Sequence, residues 1–193
     1  MESLSSLENK WNLSQAGPKR MYANQLKKLI KSDAAMAKVF CGILAKDQLP
    51  VNVPTTTTTK DCAYIVNTDE SDEQGQHWLL LYCSAQHNVL YYIDPLGNPP
   101  KHYNGYLTKF ASKFQKIIKL PYAVQGGRSR LCGLFVMYYL YYLARGYSDI
   151  EKISSTFFKA GLGRNDRIVL KFFWKMFRFC PKKLLYKCMN SVK

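Results

Sequence analysis

The chain has 193 residues, of which 47% are hydrophobic and 14% aromatic, and this composition predicts one globular domain with a sizeable core. Its 28 basic and 13 acidic residues give a formal net charge of +15. A charge of this size attracts polyanions, so nucleic acid is the expected partner and an anionic membrane surface the alternative. The longest apolar run, residues 134–144, is too short to span a bilayer and belongs in a protein core.

Six cysteines are present, but residues 1–11 are polar and lack the apolar core of a signal peptide. We therefore expect reduced thiols in the cytosol or nucleus and no secretion. No metal site is predicted, because no C-x-x-C or H-x-x-x-H pair occurs and the cysteines lack ligand spacing.

The N-terminal part predicts a polar lead-in over residues 1–17 and an amphipathic helix after Pro18. Leu26, Leu29 and Ile30 are spaced for one helical face. The opposite face is basic and is either a solvated surface or a DNA contact, formed by Lys27, Lys28 and Lys31.

Residues 40–53 predict irregular structure, residues 55–59 a low-complexity connector and residues 62–66 a short strand. Two further apolar runs, residues 79–83 and Val89–Ile93, flank a short polar stretch and predict a β-hairpin.

This hairpin places a histidine near an acid. If the turn is centred between Ala85 and Gln86, His77 and Asp94 are directly opposite on one face, with Cβ atoms roughly 5 Å apart. A carboxylate can hold an imidazole at that distance. A one-residue shift in register would send the two side chains to opposite faces. The alternative is a structural histidine beside Trp78.

Residues 124–146 predict a Gly-rich, doubly basic loop that leads into a buried helix ending near Gly146. Cys132 is in the first turn, where unpaired backbone N–H groups and the helix dipole favour a thiolate. Arg128 and Arg130 act in the same direction and are also candidate contacts to DNA. Gly133 leaves room for a group to approach the sulfur, and two further glycines at 126 and 127 let the loop turn tightly. The alternative is an inert core cysteine.

The C-terminal part predicts a helix over residues 149–160 and then a second helix. Asn165 and Asp166 are the expected caps of the second helix, which runs through Phe179 and is ended by Pro181. Its basic residues are candidates for contacts to phosphate that weaken steeply with salt, and the alternative is a solvated face. These candidates are Lys171, Lys175, Arg178, Lys182 and Lys183.

Together these features predict a thiol hydrolase. Cys132 attacks a carbonyl carbon, His77 accepts and returns the proton, and Asp94 orients the imidazole. The backbone N–H of Cys132 and the side-chain amide of Gln125 are the expected oxyanion donors. Trp78 is expected to lie beside the imidazole and exclude water.

The blocks that carry these residues resemble one family. C-A-Y-I-V-N-T from Cys62, then Q-H-W, I-D-P-L-G at residues 93–97 and Q-G-G-R-S-R-L-C-G-L-F from Gln125 are similar to the adenovirus-type cysteine endopeptidases (adenains), in the clan of the SUMO-deconjugating proteases. The resemblance covers about residues 26–143. It implies an α+β, papain-like fold in which a central sheet carries the histidine and acid and the cysteine-bearing helix packs on that sheet.

Carried over onto matching positions, the resemblance implies His77 as the base, Gln125 as the oxyanion donor and Cys132 as the nucleophile. It implies Asp94 as the orienting acid, where adenoviral enzymes commonly have Glu. Its implied substrates are viral precursor and capsid polypeptides cut at Gly-containing sites during capsid maturation, in the virion or the host nucleus or cytoplasm. We expect a monomer that needs no cofactor for its chemistry and binds no membrane.

The family is activated by DNA and by a peptide joined through a cysteine. This chain has no cysteine between Cys83 and Cys132, where adenoviral enzymes carry that residue. Any activating peptide is therefore expected to bind without a disulfide. The spacing from Asp94 to Gln125 is also shorter. Both departures fit a non-adenoviral virus or a Maverick/Polinton-type element.

Two other classes of function remain open. A SUMO- or ubiquitin-like-protein deconjugase uses the same catalytic groups but cuts a folded modifier with a Gly-Gly tail. A non-enzymatic, basic DNA-packaging protein explains the charge, yet it leaves the hairpin pair and the Gly-flanked Cys132 without a purpose.

Overall fold

The computed structural model describes residues 21–52 and 60–177. The predicted lead-in, Pro18, the connector at residues 55–59 and the predicted end of the last helix lie outside the described residues. So do three candidate DNA contacts, Arg178, Lys182 and Lys183.

Helices and a mixed sheet alternate along the described chain. The helices are α1 (Ala23–Lys31), α2 (Ala34–Val39), α3 (Gly105–Ala111), α4 (Cys132–Leu143), α5 (Ile150–Ser154) and α6 (Gly163–Phe177). The strands are β1 (Phe40–Ala45), β2 (Cys62–Asn67), β3 (Trp78–Ser84), β4 (Val89–Ile93) and β5 (Lys116–Lys119), and short 3₁₀ turns cover Lys46–Gln48 and Pro100–Tyr103.

The five strands form one sheet in the order β1-β2-β3-β4-β5. The central pairs β2–β3 and β3–β4 are antiparallel, whereas β1–β2 and β4–β5 are parallel. Helices α1, α4 and α6 contribute to the larger core on one face, and α3 contributes to a smaller core on the other. The α+β fold with the cysteine-bearing helix packed on the sheet is therefore confirmed.

Two local predictions about strands need correction. Residues 40–45 were expected to be irregular, but they form edge strand β1, which pairs with β2 and is interrupted by a bulge between Phe40 and Gly42. The apolar residues of this segment are only partly buried and do not alternate, because the strand is at the edge, so the sequence pattern gave no period-2 signal.

The hairpin forms, but its predicted register is wrong. Ser84 pairs with Val89 and Leu80 with Ile93, so the turn is centred one residue further along the chain than predicted. The turn covers four residues and includes Asn88 with a positive φ of 47°. Moving the turn centre by one residue changes the cross-strand pairing by two residues, so the side-chain parity is kept and His77 still faces the same side as Asp94.

The two helices that carry the strongest sequence patterns match their predictions. In α1, Leu26, Leu29 and Ile30 are buried. Helix α4 begins at Cys132 and is buried along most of its length, which explains why it is apolar all round.

The two C-terminal helices differ from their predictions. Helix α5 ends at Ser154, well before residue 160. Helix α6 begins at Gly163, so Asn165 is inside its first turn, where it is fully buried rather than capping the helix end. Its hydrogen bonds go to other segments instead of to the helix.

The expectation that all thiols are reduced is wrong for one pair. Cys41 and Cys62 form a disulfide with their Cα atoms 5.6 Å apart. Parallel pairing of β1 with β2 brings the bulge at Cys41 next to the start of β2, a contact between residues 21 positions apart that spacing alone does not predict. Cys83 and Cys132 are free and buried.

None of the helices in residues 21–52 and 60–177 has both the length and the apolar character needed to cross a membrane.

Candidate active site

His77 and Asp94 flank the ends of neighbouring strands β3 and β4. His77 Nε2 is 2.7 Å from Asp94 Oδ1, and both side chains are largely buried. The pair is diagonal rather than directly opposite, since the strand register places Leu79 across from residue 94. The structure thus brings the two residues together as expected, although by a different pairing.

The acid is held by three donors. His77 and the backbone N–H of Leu96 both bond to Oδ1, the latter at 2.8 Å, while the Tyr103 hydroxyl donates to Oδ2 at 2.6 Å. Asn98 Nδ2 in turn donates to the Tyr103 oxygen at 2.9 Å. Burial raises the pKa of Tyr103, and its bond to Asp94 raises it further, so the hydroxyl remains a donor at neutral pH.

Tyr103 is the site residue that the sequence analysis missed. Its ring lies nearly parallel to the His77 imidazole, with centroids 6.3 Å apart. Tyr103 comes from the Pro-rich turn after β4. A phenol nine residues after an acid carries no recognisable spacing signal, because the turn between them is irregular.

Cys132 is the first residue of α4, and its side chain is close enough to His77 to raise the pKa of the imidazole. Because Nε2 of the imidazole is taken by Asp94, Nδ1 is the ring nitrogen left for the sulfur. The acid, the imidazole and the thiol therefore form one buried group. Cys132 is 3% and His77 9% exposed, so these side chains are shielded from bulk water, which strengthens the electrostatic interactions between them.

The imidazole carries a strongly shifted pKa. Burial lowers it, but hydrogen bonds to Asp94 and Cys132 and the negative charges of both groups outweigh burial and raise the pKa of His77 to about 9. At neutral pH the ring is therefore protonated. An imidazolium beside the sulfur favours a thiolate partner and stands ready to protonate a leaving group.

This shift predicts a pH titration. The ring proton of His77 should be lost with a midpoint near pH 9, well above the ordinary value of 6.5, since a raised pKa means that the charged form persists to higher pH. Cys132→Ala removes the contributions of the sulfur, so the midpoint should move down. Measurement by NMR of the ring C–H signals tests both values. Cys83→Ala is the matched control and should not move the midpoint, and a wild-type midpoint at or below 6.5 would contradict the ion pair.

Gln125 reaches the site from a loop that the strand end holds in place. The Pro95 carbonyl accepts hydrogen bonds from the backbone N–H groups of Val124 and Gln125, both at 2.9 Å. Gly97 has a φ of 76°, and a Cβ there would approach the Ala123 backbone to 3.1 Å, which explains the glycine of the I-D-P-L-G block. The Gln125 side chain is buried.

Within the described part of the chain, the Gln125 amide makes one hydrogen bond. Nε2 donates to the Ser129 carbonyl at 3.0 Å, and Oε1 is buried without a partner among the described residues. Since an amide nitrogen carries two hydrogens, one remains for a substrate oxygen. Gln125 and the N–H of Cys132 thus belong to one loop that ends at the nucleophile.

Trp78 and Gly133 both contact the N-terminal part of the described chain. Trp78 Nε1 donates to the Met21 carbonyl at 2.9 Å. A Cβ on Gly133 would meet Met21 and Leu26 at 3.0 and 3.2 Å. The space beside Gly133 is therefore filled by the chain's own N-terminal segment.

The loop turns tightly at the two glycines, as expected, since the Ser129 N–H donates to the Gly126 carbonyl at 2.9 Å. Neither residue 126 nor residue 127 has a positive φ, and position 127 is open to a side chain. A Cβ added at position 126 would make an ordinary van der Waals contact with Leu162, which precedes α6.

The described candidate DNA contacts are all exposed, but they belong to separate elements. Lys27, Lys28 and Lys31 are on α1, Arg128 and Arg130 are on the loop before α4, and Lys171 and Lys175 are on α6. On α6, Lys171 and Lys175 form an exposed stripe with two arginines that the sequence analysis did not include, Arg164 and Arg167. Among the residues of the two described ranges, no group of His, Cys, Asp and Glu could hold a metal ion.

A buried acid–imidazole pair, a thiol at the start of a buried helix that raises the pKa of the imidazole, and an amide on the loop leading to that helix are the groups that cysteine-dependent hydrolases use. Comparison with known proteins points to the same class. No protein-family model matches the chain.

The chain is 33% identical over 116 residues to the protease of Human adenovirus B serotype 3, and the match covers 54% of this chain and 50% of that protein. It is 30% identical over 97 residues to the protease of Porcine adenovirus A serotype 3, covering 44% and 48% respectively. The chain thus spans about half the length of the curated relatives it matches. The resemblance to adenovirus proteases indicated by the motif blocks is confirmed.

Among solved structures, a protease of ASFV aligns with a TM-score of 0.49 and 11% identity, over 85% of this chain and 77% of that one.

Proposed function

We propose that this protein is a cysteine endopeptidase with Cys132 as nucleophile, His77 as general base and acid, Asp94 as orienting acid and Gln125 as oxyanion donor. The observation that carries the proposal is the buried hydrogen bond between His77 and Asp94, together with the effect of Cys132, the first residue of α4, on the pKa of the same imidazole. The similarity to adenovirus proteases supports the same class of reaction.

In the first half of the reaction, the Cys132 sulfur attacks the substrate carbonyl carbon and the carbonyl electron pair moves onto oxygen. The Cys132 N–H and the free hydrogen of the Gln125 amide stabilise that charge. The imidazolium of His77 then donates its proton to the amide nitrogen, the C–N bond breaks and a thioester remains on the sulfur.

In the second half, the now neutral imidazole takes a proton from water as the water oxygen attacks the thioester. The C–S bond breaks, the acid product leaves and the thiolate–imidazolium pair is restored. Asp94 holds Nε2 of the ring, which leaves Nδ1 for these proton transfers.

The substrates we propose are viral precursor and capsid polypeptides cut at Gly-containing sites, in the virion or the host cell. The support is the similarity to viral proteases together with the same order of histidine, acid, glutamine and cysteine along the chain. We propose that the protein acts as a monomer, needs no cofactor for the chemistry and binds no membrane.

DNA is the proposed activator, alone or with a peptide that binds without a disulfide. The formal charge of +15 supports attraction to a polyanion. A more local observation is the basic stripe of α6, formed by Arg164, Arg167, Lys171 and Lys175 at exposed positions. The opposite face of α6 is buried through Val169 and Phe173.

Binding to duplex DNA should weaken about a hundredfold between 50 and 200 mM salt if roughly four phosphates are neutralised. A Lys171→Glu, Lys175→Glu double variant should bind more weakly and show a smaller salt slope, measured by fluorescence anisotropy. The matched control reverses two exposed lysines of β5, Lys116→Glu and Lys119→Glu. Affinity that does not change with salt, or equal losses in both double variants, would contradict phosphate contact by α6.

The test of the proposed function is a cleavage assay against a panel of Gly-containing peptides, with and without DNA and with and without a thiol-alkylating reagent. Cleavage that alkylation abolishes supports the proposal. The same panel should include a folded ubiquitin-like modifier with a Gly-Gly tail. Cutting of that modifier alone would indicate a deconjugase, and absence of all cleavage would refute the peptidase.

A further inference from the structure

The start of α6 contacts both ends of the loop that carries Gln125 and leads to Cys132. We call residues 124–131 the Gln125 loop. At its first end, Asn165 Nδ2 donates to the Val124 carbonyl at 2.8 Å, next to Gln125. Asn165 is 0% exposed and also accepts from the Phe158 N–H at 2.8 Å and donates to the Phe158 carbonyl at 3.0 Å. Three directed bonds fix this amide and, with it, the start of the loop.

At the other end of the Gln125 loop, Ser129 connects three groups. Its hydroxyl donates to Asp166 Oδ1 at 2.8 Å and accepts from the Leu131 N–H at 3.2 Å, while its carbonyl accepts from Gln125 Nε2 at 3.0 Å. Leu131 is the N-cap residue of α4. The side chain of Ser129 therefore joins α6 to the residue before the nucleophile, and its backbone joins the same point to the Gln125 amide.

We propose that Asn165, Asp166 and Ser129 are positioning residues that hold the Gln125 amide and the Cys132 N–H in register with each other at the developing oxyanion. This inference rests on the proposed function. The two donors come from opposite ends of a loop without strand or helix, so their relative position depends on what anchors each end. Displacements of about 1 Å in such groups lower rates by about a hundredfold.

A positioning role differs from a merely structural one in what it leaves unchanged. Hydrolysis of an amide passes through an oxyanion and needs both donors, whereas alkylation of Cys132 by iodoacetamide needs only the thiolate and its imidazolium. Loss of the α6 anchor should therefore slow hydrolysis without slowing alkylation. General damage to the fold or to the thiol would slow both reactions.

The test compares Ser129→Ala and Asp166→Ala with the wild-type chain. Each should lower kcat for peptide cleavage by about tenfold to a hundredfold, with KM and the alkylation rate unchanged. Asp166→Asn should restore most of kcat, because an amide oxygen still accepts from the Ser129 hydroxyl. The matched control is Ser112→Ala, which removes a hydroxyl that bonds only to a helix-end carbonyl and should change nothing.

An unchanged kcat in Ser129→Ala and Asp166→Ala, or parallel losses of cleavage and alkylation, would overturn the positioning role. If the wild-type chain cleaves no peptide, the proposed function fails. Amide hydrogen exchange at Leu131 and Cys132 then tests whether Ser129 and Asp166 hold this end of the Gln125 loop. Exchange should accelerate in Ser129→Ala and not in Ser112→Ala. Equal exchange in both would overturn the anchor independently of activity.

Discussion

Cys132→Ala is expected to abolish peptide cleavage, with a loss of about 10⁴-fold or more, because the sulfur is the atom that bonds to the substrate carbon. The variant should remain folded, since alanine is tolerated at the start of a buried helix and removes only one sulfur atom. DNA binding should survive, because the basic stripe of α6 does not include this position. Steady-state cleavage and fluorescence anisotropy measure the two properties separately.

Cys83→Ala is the matched control for that variant. Cys83 is the other free cysteine among the described residues, and burial on β3 raises the pKa of its thiol to about 12, which keeps it unreactive. Its replacement should leave cleavage and its sensitivity to alkylation intact. Cleavage that persists in Cys132→Ala would refute the proposed nucleophile, and with it the class of enzyme.

His77→Ala is expected to lower cleavage by about 10³-fold to 10⁴-fold, because the reaction loses both the imidazolium that stabilises the thiolate and the proton donor for the leaving amine. Alkylation of Cys132 by iodoacetamide at neutral pH should also become slower. This second effect separates the catalytic histidine from the positioning residues on α6, whose removal should spare alkylation.

His87→Ala controls for the loss of an imidazole elsewhere. His87 is exposed in the turn between β3 and β4, on the same hairpin as His77 but at the other end. Cleavage and alkylation should match the wild-type chain in this variant. If His77→Ala reacts with iodoacetamide as fast as the wild-type chain, the imidazole does not activate the thiol and the proposed ion pair is absent.

Much of the candidate site follows from local sequence patterns. Two apolar runs around a polar turn predict the hairpin, and strict alternation along its strands places His77 and Asp94 on the same side. The register was misjudged, because the length and backbone conformation of the turn at residues 85–88 are not visible in the pattern. The error changed the pairing by two residues, which made the pair diagonal but left both side chains on the same face.

The helix that begins at Cys132 was also predictable. An apolar segment after a Gly-rich loop indicates a buried helix, and Arg145 and Gly146 mark its end. In contrast, β1 and β5 are edge strands without a regular period, and their pairing partners are distant in sequence. The disulfide between Cys41 and Cys62 depends on that pairing, so it escaped prediction for the same reason.

By itself, then, the sequence determined the types of the reacting groups, the hairpin that presents two of them and the helix that begins at the third, because each depends on periodicity within a short segment. Only the tertiary structure decided what holds these groups: Tyr103 holds the acid, and Pro95 together with Asn165 and Asp166 of α6 holds the Gln125 loop. These contacts join residues from irregular turns and from separate elements. Their geometry is set by the packing of α4 and α6 against each other and the sheet, for which no local spacing exists.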